Sequence, residues 1–310
     1  MKDLSVIIPA RKEMFLKQTI DNVLESIEAD TEIIAICDGD WPDPPIEDHP
    51  RVTIVRHESI GQRAATNEGA RLSQAKYIMK ADAHCAFGKG FDRILIEDCE
   101  PDWTMIPMMW NLHAFDWKCN ACGDRTYQGV LPTLCKKCGA SEGFEMVMVW
   151  EPRGNKVTVS WRFDEDMHFQ YWRKHKRRRE VKEQGDLIET MSFIGACFLM
   201  ERERFWDLDG MDEAHGSWGQ FGTELACKTW LSGGKLITSK KTWFAHMFRT
   251  GNFRGSGHNG GSFPYPLSGK AQEHAKVYSR DLWLNDKWPK AIHPLSWLVD
   301  KFAPVPGWHE

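Results

Sequence analysis

The sequence predicts an α/β protein with a mixed, Rossmann-like sheet, helices on both of its faces, and a small zinc-binding insert. Two observations carry this prediction. The first hundred residues alternate between short apolar runs and segments in which apolar residues recur at helical spacing, the pattern of a sheet covered by helices. Two Cys-x-x-Cys pairs then occur within residues 119–138, in a stretch that breaks this alternation.

The alternating elements can be placed in order along the chain. LSVIIP (4–9), TEIIAIC (31–37), VTIV (52–55) and YIM (77–79) are continuous apolar runs, as expected of strands buried on both faces. Between these runs, MFLKQTIDNVLESIEA carries apolar residues at helical spacing, and GQRAATNEGARLSQA also predicts a helix. The first part of the chain is therefore predicted to form a parallel sheet.

The later parts of the chain are less regular. Residues 101–190 include a predicted strand pair (145–162) and a highly charged stretch. SFIGACFLMERERF then predicts a strand that leads into a helix, and TELACKTWLSGG predicts another helix that ends at its glycines. The Gly-rich segment 250–262 is interpreted as a mobile loop or lid, and the Trp- and Pro-rich tail is expected to pack against the main domain.

Composition narrows the class of protein. The 310 residues carry a net charge of −4, so any contact with nucleic acid would need a local basic patch. No apolar run reaches the ~20 residues needed to cross a bilayer, and MKDLSVIIPA leads directly into a strand. We therefore expect a cytoplasmic protein, bacterial, archaeal or viral in origin, in which cysteines stay reduced unless they bind metal.

Two acidic residues follow strands of the predicted sheet. Asp38 follows the second strand and Asp82 follows YIM, and ligands of such sheets bind beyond the carboxyl ends of the strands. Asp82 and His84 are two residues apart, so on an extended segment their side chains point to the same side. A carboxylate and an imidazole can bind a divalent cation that also holds a diphosphate, although such a pair on its own is more often a polar turn.

A family resemblance extends this interpretation. SVIIPARKEMFLKQTI, IIAICDGD and GQRAATNEGARLSQAKYIMKADAH resemble the opening half of nucleotide-sugar glycosyltransferases (family 2-like) with a GT-A fold. DAHC resembles the Asp-x-His metal motif of the polypeptide N-acetylgalactosaminyltransferases. GACFLMERERFWDLDGMDEAHGSWG and TELACKTWLSGGKLITSKKTWFAHMFR are similar to the segments around that family's Trp-Gly and His-Val-Phe-Arg motifs. The resemblance covers residues 4–98 and 193–250.

The resemblance implies a division of the chain into four parts. Residues 1–100 would be the nucleotide-sugar-binding half of the GT-A domain, and residues 101–190 an insert with a zinc knuckle and a basic segment. Residues 191–250 would be the acceptor and metal half. Residues 251–310 would form the Gly-rich loop and the tail.

The resemblance also implies roles for single residues. The metal ligands for Mn²⁺ (or Mg²⁺) would be Asp82, His84 and His246, the last of which is otherwise a core histidine. The implied donor-binding residues are Pro9, Arg11, Glu13, Asp38, Arg63 and Asp82, where Asp38 matches the acid that reads uracil or ribose and Arg63 is offset by one position. The implied catalytic residues are Asp212, Trp218, Glu224 and Arg249, whose guanidinium would neutralise diphosphate charge.

Two departures from the family pattern bear on sugar and stereochemistry. The family's Trp-Gly-Gly-Glu-Asn is Trp218-Gly219-Gln220-Phe221-Gly222 here, so the glutamate that reads the sugar is lost and N-acetylgalactosamine is in doubt. Inverting relatives place a catalytic aspartate near Gly222, so the sequence favours retention, with the departing diphosphate taking the acceptor proton.

The cysteine-rich stretch predicts a second metal site. Cys119, Cys122, Cys135 and Cys138 form two Cys-x-x-Cys knuckles separated by a dozen residues, the pattern of a structural four-thiolate Zn²⁺ site. The alternative is a pair of redox dithiols. Such a closed site would stabilise an insert that is too short to build its own core.

A basic run provides the third feature. The candidate acceptor-binding residues are Arg173, Lys174, Lys176, Arg177, Arg178 and Arg179, behind Tyr171 and Trp172. Basic residues beside aromatic ones attract phosphate backbones and unstacked bases. The alternatives are a solvated loop or an arm that holds the diphosphate.

Together these features predict a metal-dependent transferase that moves a sugar from a UDP-sugar to a hydroxyl of a large acceptor. The favoured acceptor is a hydroxymethylated pyrimidine in DNA, on the basis of the zinc insert and the basic run. Protein Ser/Thr, or a polysaccharide or lipid-linked precursor, is the alternative acceptor. A non-catalytic, zinc-containing nucleic-acid-binding protein on a degenerate transferase scaffold is the alternative from another class.

Overall fold

A computed structural model describes residues 2–248 and 269–308 of the chain. Its strands are β1 (Leu4–Ala10), β2 (Thr31–Asp38), β3 (Val52–His57), β4 (Tyr77–Ala81), β5 (Cys85–Phe87), β6 (Trp103–Cys119), β7 (Arg125–Tyr127), β8 (Phe144–Thr158), β9 (Trp161–Phe163), β10 (Phe169–Tyr171), β11 (Leu187–Glu189), β12 (Cys197–Glu201) and β13 (Lys235–His246). Its α-helices are α1 (Leu16–Ser26), α2 (Gln62–Leu72), α3 (Phe91–Asp98), α4 (Arg179–Lys182), α5 (Arg202–Asp207), α6 (Phe221–Leu231), α7 (Gly269–Leu284) and α8 (Leu295–Lys301).

One mixed sheet organises the molecule. Its strand order is β11-β13-β6-β12-β4-β1-β2-β3, with β5, β7 and β8 attached to β13 and β6. Strands β4, β1, β2 and β3 run parallel, as the strand-helix alternation predicts, whereas β12 is antiparallel to β4. The α/β class and the mixed Rossmann-like sheet are confirmed.

The helices cover the sheet with apolar faces. Helix α1 buries Leu16, Ile20 and Val23, and α2 packs its small residues so closely that a side chain on Gly69 would meet Ile7 of β1 at 2.4 Å. Helix α6 is buried along its whole length, and its C-terminal end contacts the tail, where the Phe302 ring lies 5.4 Å from that of Trp230. This dense packing fixes the strand ends from which the site is built.

The pairing of β13 brings distant parts of the chain together. Residues Phe244, Ala245 and His246 pair antiparallel with β5, and His246 lies opposite Cys85, the residue after His84. The backbone N–H of Met247 donates to the carbonyl of His84 at 3.1 Å. A segment near residue 246 is therefore fixed beside the Asp82–His84 turn.

The insert is built on two long strands. The first half of β6 pairs with β13, and its second half pairs with β8 to form a hairpin that extends beyond the main sheet. At the base of the hairpin, Phe115 stacks on Phe15 with ring centroids 5.7 Å apart, and Trp150 lies 6.0 Å from the same ring. The insert therefore packs on the loop that follows β1.

The tail returns to the main domain. The backbone N–H groups of Ile292 and His293 donate to the carbonyl of Leu231, and the indole of Trp308 donates to the carbonyl of Phe163. Among residues 2–248 and 269–308, no helix is both long and apolar enough to span a membrane.

Candidate active site

A cavity of about 380 Å³ lies at the edge of the sheet where β1, β2 and β4 end. The three predicted Mn²⁺ ligands line it, as do all predicted donor-binding residues except Arg63. The predicted residues found in its lining are Pro9, Arg11, Glu13, Asp38, Asp82, His84, Trp218 and His246. The fold therefore brings together residues that lie more than two hundred positions apart.

Three side chains converge at the floor of this cavity. His84 Nε2 and His246 Nε2 are 3.1 Å apart, and Asp82 Oδ2 lies 3.2 Å from His246 Nε2. Ligands on adjacent positions of an octahedral ion, each about 2.1 Å from it, are about 3.0 Å apart. The donor set and its spacing therefore fit a divalent cation held on one face, which leaves other positions for diphosphate oxygens or water.

The protonation states also suit a metal site. Burial alone would raise the pKa of Asp82, but Lys80 and the two histidines hold that pKa well below its usual range. Burial lowers the pKa of the His246 imidazole. Near neutral pH the site thus offers an ionised carboxylate and a neutral His246 ring, the forms that bind metals.

Glu13 contacts the group formed by Asp82, His84 and His246 (the metal triad) through His84. Its Oε2 lies 2.9 Å from His84 Nδ1, so the carboxylate accepts a hydrogen bond from the Nδ1–H group and leaves Nε2 to face the cavity. The sequence placed Glu13 among the residues that grip the nucleoside. The structure places it at the cavity wall with its carboxylate on the metal-ligand histidine.

Lys80 is a site residue that the sequence reasoning missed. Its side chain is fully buried, and its Nζ donates to Asp82 Oδ1 and to the carbonyl of Gly195, the latter at 2.8 Å. Gln62 also donates to Asp82 Oδ1, at 3.3 Å. One signal was available, since a lysine in the apolar strand YIMKA, two residues before Asp82, points to the same side of the strand.

Asp38 joins the cavity to the start of α2. Its carboxylate accepts from the backbone N–H groups of Ile60 and Gly61. Gly61 has φ +89°, and a Cβ there would meet Ser217 at 2.8 Å. The Asp38 carboxylate is thus fixed at the cavity edge, and the close approach at Gly61 sets the position of the segment that carries Trp218.

Arg63 and Glu224 lie outside the cavity lining. Their side chains are 1% and 0% exposed and form an ion pair of 2.7 Å. Arg63 also donates to the carbonyls of Gly216 and Gly219. The pair therefore holds the loop around Trp218 from below, and its burial keeps both side chains away from any substrate in the cavity.

Asp212 takes part in the same buried network. Its backbone N–H donates to Glu224, and its carboxylate accepts from the hydroxyl of Tyr278 on α7 at 2.9 Å. Trp218 itself is 38% exposed and lines the cavity. Of the four predicted catalytic residues, Trp218 is placed at the cavity, Asp212 and Glu224 lie beneath it, and Arg249 lies outside the described residues, as does the 250–262 segment.

Packing explains why the family's Asn is missing at Gly222. A Cβ on this residue would lie 2.0 Å from the carbonyl oxygen of Phe193 and 2.8 Å from the backbone N of Gly195. Any side chain would force this backbone apart. The absence of an acid at position 222 is therefore built into the packing of α6 against the segment before β12.

The four predicted zinc ligands also converge. Cys119 Sγ and Cys138 Sγ are 3.7 Å apart, and Cys122 Sγ and Cys135 Sγ are 3.6 Å apart. Four thiolates around one zinc ion, each about 2.3 Å from it, would be about 3.8 Å apart. The cluster fits a closed zinc site.

The basic run is placed apart from the cavity. None of its six Lys and Arg side chains lines the cavity. Arg178 is half-buried and donates to the carbonyls of Phe302 and Ala303 at the end of α8, so it joins the tail to the domain rather than facing an acceptor. Burial lowers the pKa of His175 within the run to about 4, so this residue adds no positive charge.

The comparisons with known proteins agree with this geometry. Residues 5–116 match the Glycosyl transferase family 2 profile. N-acetylgalactosaminyltransferase 4 of Drosophila melanogaster is 31% identical over 233 residues, which are 70% of this chain and 30% of the relative. Putative polypeptide N-acetylgalactosaminyltransferase 13 of the same species is 24% identical over 199 residues, 64% of this chain and 30% of the relative. The chain thus spans about a third of these relatives.

Among solved structures, the crystal structure of GalNAc-T7 with UDP, GalNAc and Mn²⁺ is similar in fold. The TM-score is 0.60 with 19% sequence identity, over 93% of this chain and 49% of the other. Residues 5–116 therefore form a Glycosyl transferase family 2 domain, within a chain that is homologous to the polypeptide N-acetylgalactosaminyltransferases and has a GT-A fold.

Proposed function

We propose that this protein is a metal-dependent glycosyltransferase that moves a sugar from a UDP-sugar to a hydroxyl of a large acceptor. The convergence of Asp82, His84 and His246 in one cavity with Asp38 carries this proposal. A degenerate, non-catalytic scaffold would have no reason to keep three ligand atoms within 4.8 Å of one another. The homology to named transferases supports the same conclusion.

Each side chain has a task in this reaction. A divalent cation, when bound, neutralises the diphosphate and stabilises it as a leaving group. Asp82, His84 and His246 would hold the ion, and Glu13 would fix the tautomer of His84. Asp38 and the loop after β1 position the nucleoside. Trp218 lines the cavity and would contact the sugar.

We also propose that the reaction proceeds with retention. An inverting enzyme needs a carboxylate base on the acceptor side. Among the described residues, the carboxylates that line the cavity are Glu13, Asp38 and Asp82, and each is held by the contacts given above. Position 222, near which inverting relatives place their base, admits only glycine. Nuclear magnetic resonance of the anomeric proton of the product tests this.

The transferred sugar is proposed to be a hexose or an N-acetylhexosamine. The residue that takes the place of the family's sugar-reading glutamate is Phe221, which is buried against Lys80 with Nζ 5.0 Å from the ring centroid. Gln220 donates to the carbonyl of Met167. The sugar would therefore be read by a different set of groups from that of the polypeptide N-acetylgalactosaminyltransferases.

For the acceptor, we propose a hydroxymethylated pyrimidine of DNA, with Ser/Thr of a polypeptide as the alternative. The zinc insert supports the first through its position: none of its residues lines the cavity, but Gln128 donates to the carbonyl of Phe248, which does. The names of the relatives favour the second. The position of the basic run beyond the cavity limits its role to distant contacts with a long acceptor.

One experiment tests donor and acceptor together. Purified protein is incubated with Mn²⁺, a mixture of UDP-sugars, and either hydroxymethylated DNA or a Ser/Thr-rich peptide library. UDP release and the mass of digested nucleosides and peptides are measured. A hexose or N-acetylhexosamine increment on nucleosides supports the DNA acceptor, and one on peptides overturns it. If no nucleotide sugar gives UDP release, the proposed transferase activity is refuted.

A further inference from the structure

Lys80 places a fixed positive charge directly behind the proposed metal ligand. Its side chain is 0% exposed, and its Nζ contacts Asp82 Oδ1, the carbonyl of Gly195 and the ring of Phe221. No substrate can reach this ammonium, because the cavity lining does not include it. Whatever Lys80 contributes, it contributes through Asp82.

The two oxygens of Asp82 face different partners. Oδ1 accepts from Lys80 and Gln62, whereas Oδ2 points to His246 Nε2 at 3.2 Å. Before any metal binds, the negative charge of the carboxylate is therefore already compensated by the protein. A divalent ion that binds Oδ2 must sit within a few ångströms of the buried Lys80 ammonium, at the floor of the cavity.

Like charges at such a distance repel, and the full burial of Lys80 reduces the screening of its charge by water. The diphosphate of a nucleotide supplies the negative charge that removes this repulsion. We propose that Lys80 is a positioning residue that acts as an internal counter-ion, so that the site takes its divalent cation together with a nucleoside diphosphate and holds the cation weakly alone. This inference rests on the proposed function, because it concerns the same metal site.

The counter-ion role predicts the direction in which Mn²⁺ affinity changes when Lys80 is replaced. If Lys80 only orients Asp82, its loss should weaken the binding of metal. If Lys80 is a counter-ion, neutralising it should tighten Mn²⁺ binding to the nucleotide-free protein by about tenfold. With UDP present the gain should be smaller, so the factor by which UDP tightens Mn²⁺ binding should shrink.

The full chain offers a matched control. Lys228 is 1% exposed, contacts one carboxylate (Glu224, 3.0 Å) and donates to one glycine carbonyl (Gly210, 2.8 Å), as Lys80 does. It lies outside the metal triad and the cavity lining. Lys228→Met should lower thermal stability and leave Mn²⁺ affinity unchanged.

The test titrates Mn²⁺ into wild type, Lys80→Met, Lys80→Gln and Lys228→Met, with and without UDP, and follows free Mn²⁺ by electron paramagnetic resonance. Lys80→Gln keeps hydrogen-bond donors for Asp82 and Gly195 without the charge, so it serves where Lys80→Met does not fold. Tighter nucleotide-free binding in the Lys80 variants supports the counter-ion role. Weaker or unchanged binding overturns it.

The same titration separates this inference from the function on which it rests. If wild-type protein does not bind Mn²⁺ even with UDP, and Asp82→Asn changes nothing, the proposed metal site is wrong. If wild type binds Mn²⁺ with UDP and Asp82→Asn abolishes binding, the site stands, and the Lys80 variants alone decide the counter-ion.

Discussion

The molecule contains two clusters of metal-ligating side chains that are assembled in opposite ways. The four cysteines lie within twenty residues of sequence and close around one point. Asp82, His84 and His246 come from two segments 162 residues apart and leave one side of the site open to the cavity. A closed, local site can only stabilise the surrounding fold, whereas an open site built by distant segments can also bind a substrate.

The largest effect on activity is expected when a metal-binding residue of the open site is replaced. Asp82→Asn removes the ionised ligand and should lower UDP-sugar hydrolysis by about a thousandfold, since the metal is held by few other groups. The rate of UDP release at saturating Mn²⁺ measures this. Asp40→Asn, in the loop after β2 and outside the cavity lining, serves as a control. If Asp82→Asn kept more than about a tenth of the rate, the site would not be catalytic.

The closed site should respond differently. Cys135→Ser should abolish zinc binding and unfold the insert, because four thiolates hold two turns that have little core of their own. Zinc content by mass spectrometry and amide exchange in residues 119–144 measure the change. Cys227→Ser, a buried cysteine outside the cluster, is the control for zinc content. Retained zinc in Cys135→Ser would contradict a four-thiolate site.

The two clusters also differ in how far sequence could predict them. The cysteine spacing alone predicts the zinc ligands, because adjacent knuckles close locally whatever the surrounding fold. The pairing of His246 with the Asp82–His84 turn depends on the register of β13 against β5, which no local pattern contains. Only the family resemblance indicated it.

The roles of buried charged residues are still harder to predict from the sequence. Arg63 and Glu224 have the residue types of a donor-binding and a catalytic group, and their ion pair beneath the Trp218 loop becomes visible only when the packing of α2 against α6 is known. The sequence does not single out Lys80, because an isolated lysine in a strand normally marks a solvent-facing position. Here its partners, Asp82 and Gly195, come together only in the folded sheet.

A smaller effect on Mn²⁺ affinity is expected when Glu13, the partner of His84 in the open site, is replaced. Glu13→Gln keeps the size of the side chain but loses the negative charge that accepts from His84 Nδ1. Such partners of metal ligands contribute about ten- to a hundredfold to metal affinity, so Mn²⁺ binding with UDP should weaken by about tenfold. Titration of Mn²⁺ measures this. Glu142→Gln, on the exposed turn of the insert, should leave the affinity unchanged.

The smallest effect on chemistry should come from the basic run, which belongs to neither cluster. Replacing Arg173, Arg177 and Arg179 by alanine removes exposed charges and leaves in place Arg178, whose contacts hold α8. Donor hydrolysis should stay within about twofold of wild type, because none of the three side chains lines the cavity.

The same triple variant tests whether the run contacts an acceptor at all. If DNA lies along it, each lost phosphate contact should reduce the slope of log affinity against log salt concentration by about 0.9. A reduction by about 2.7 would extend the acceptor path from the cavity to this surface. An unchanged slope would show that these three arginines do not contact the phosphates of the acceptor.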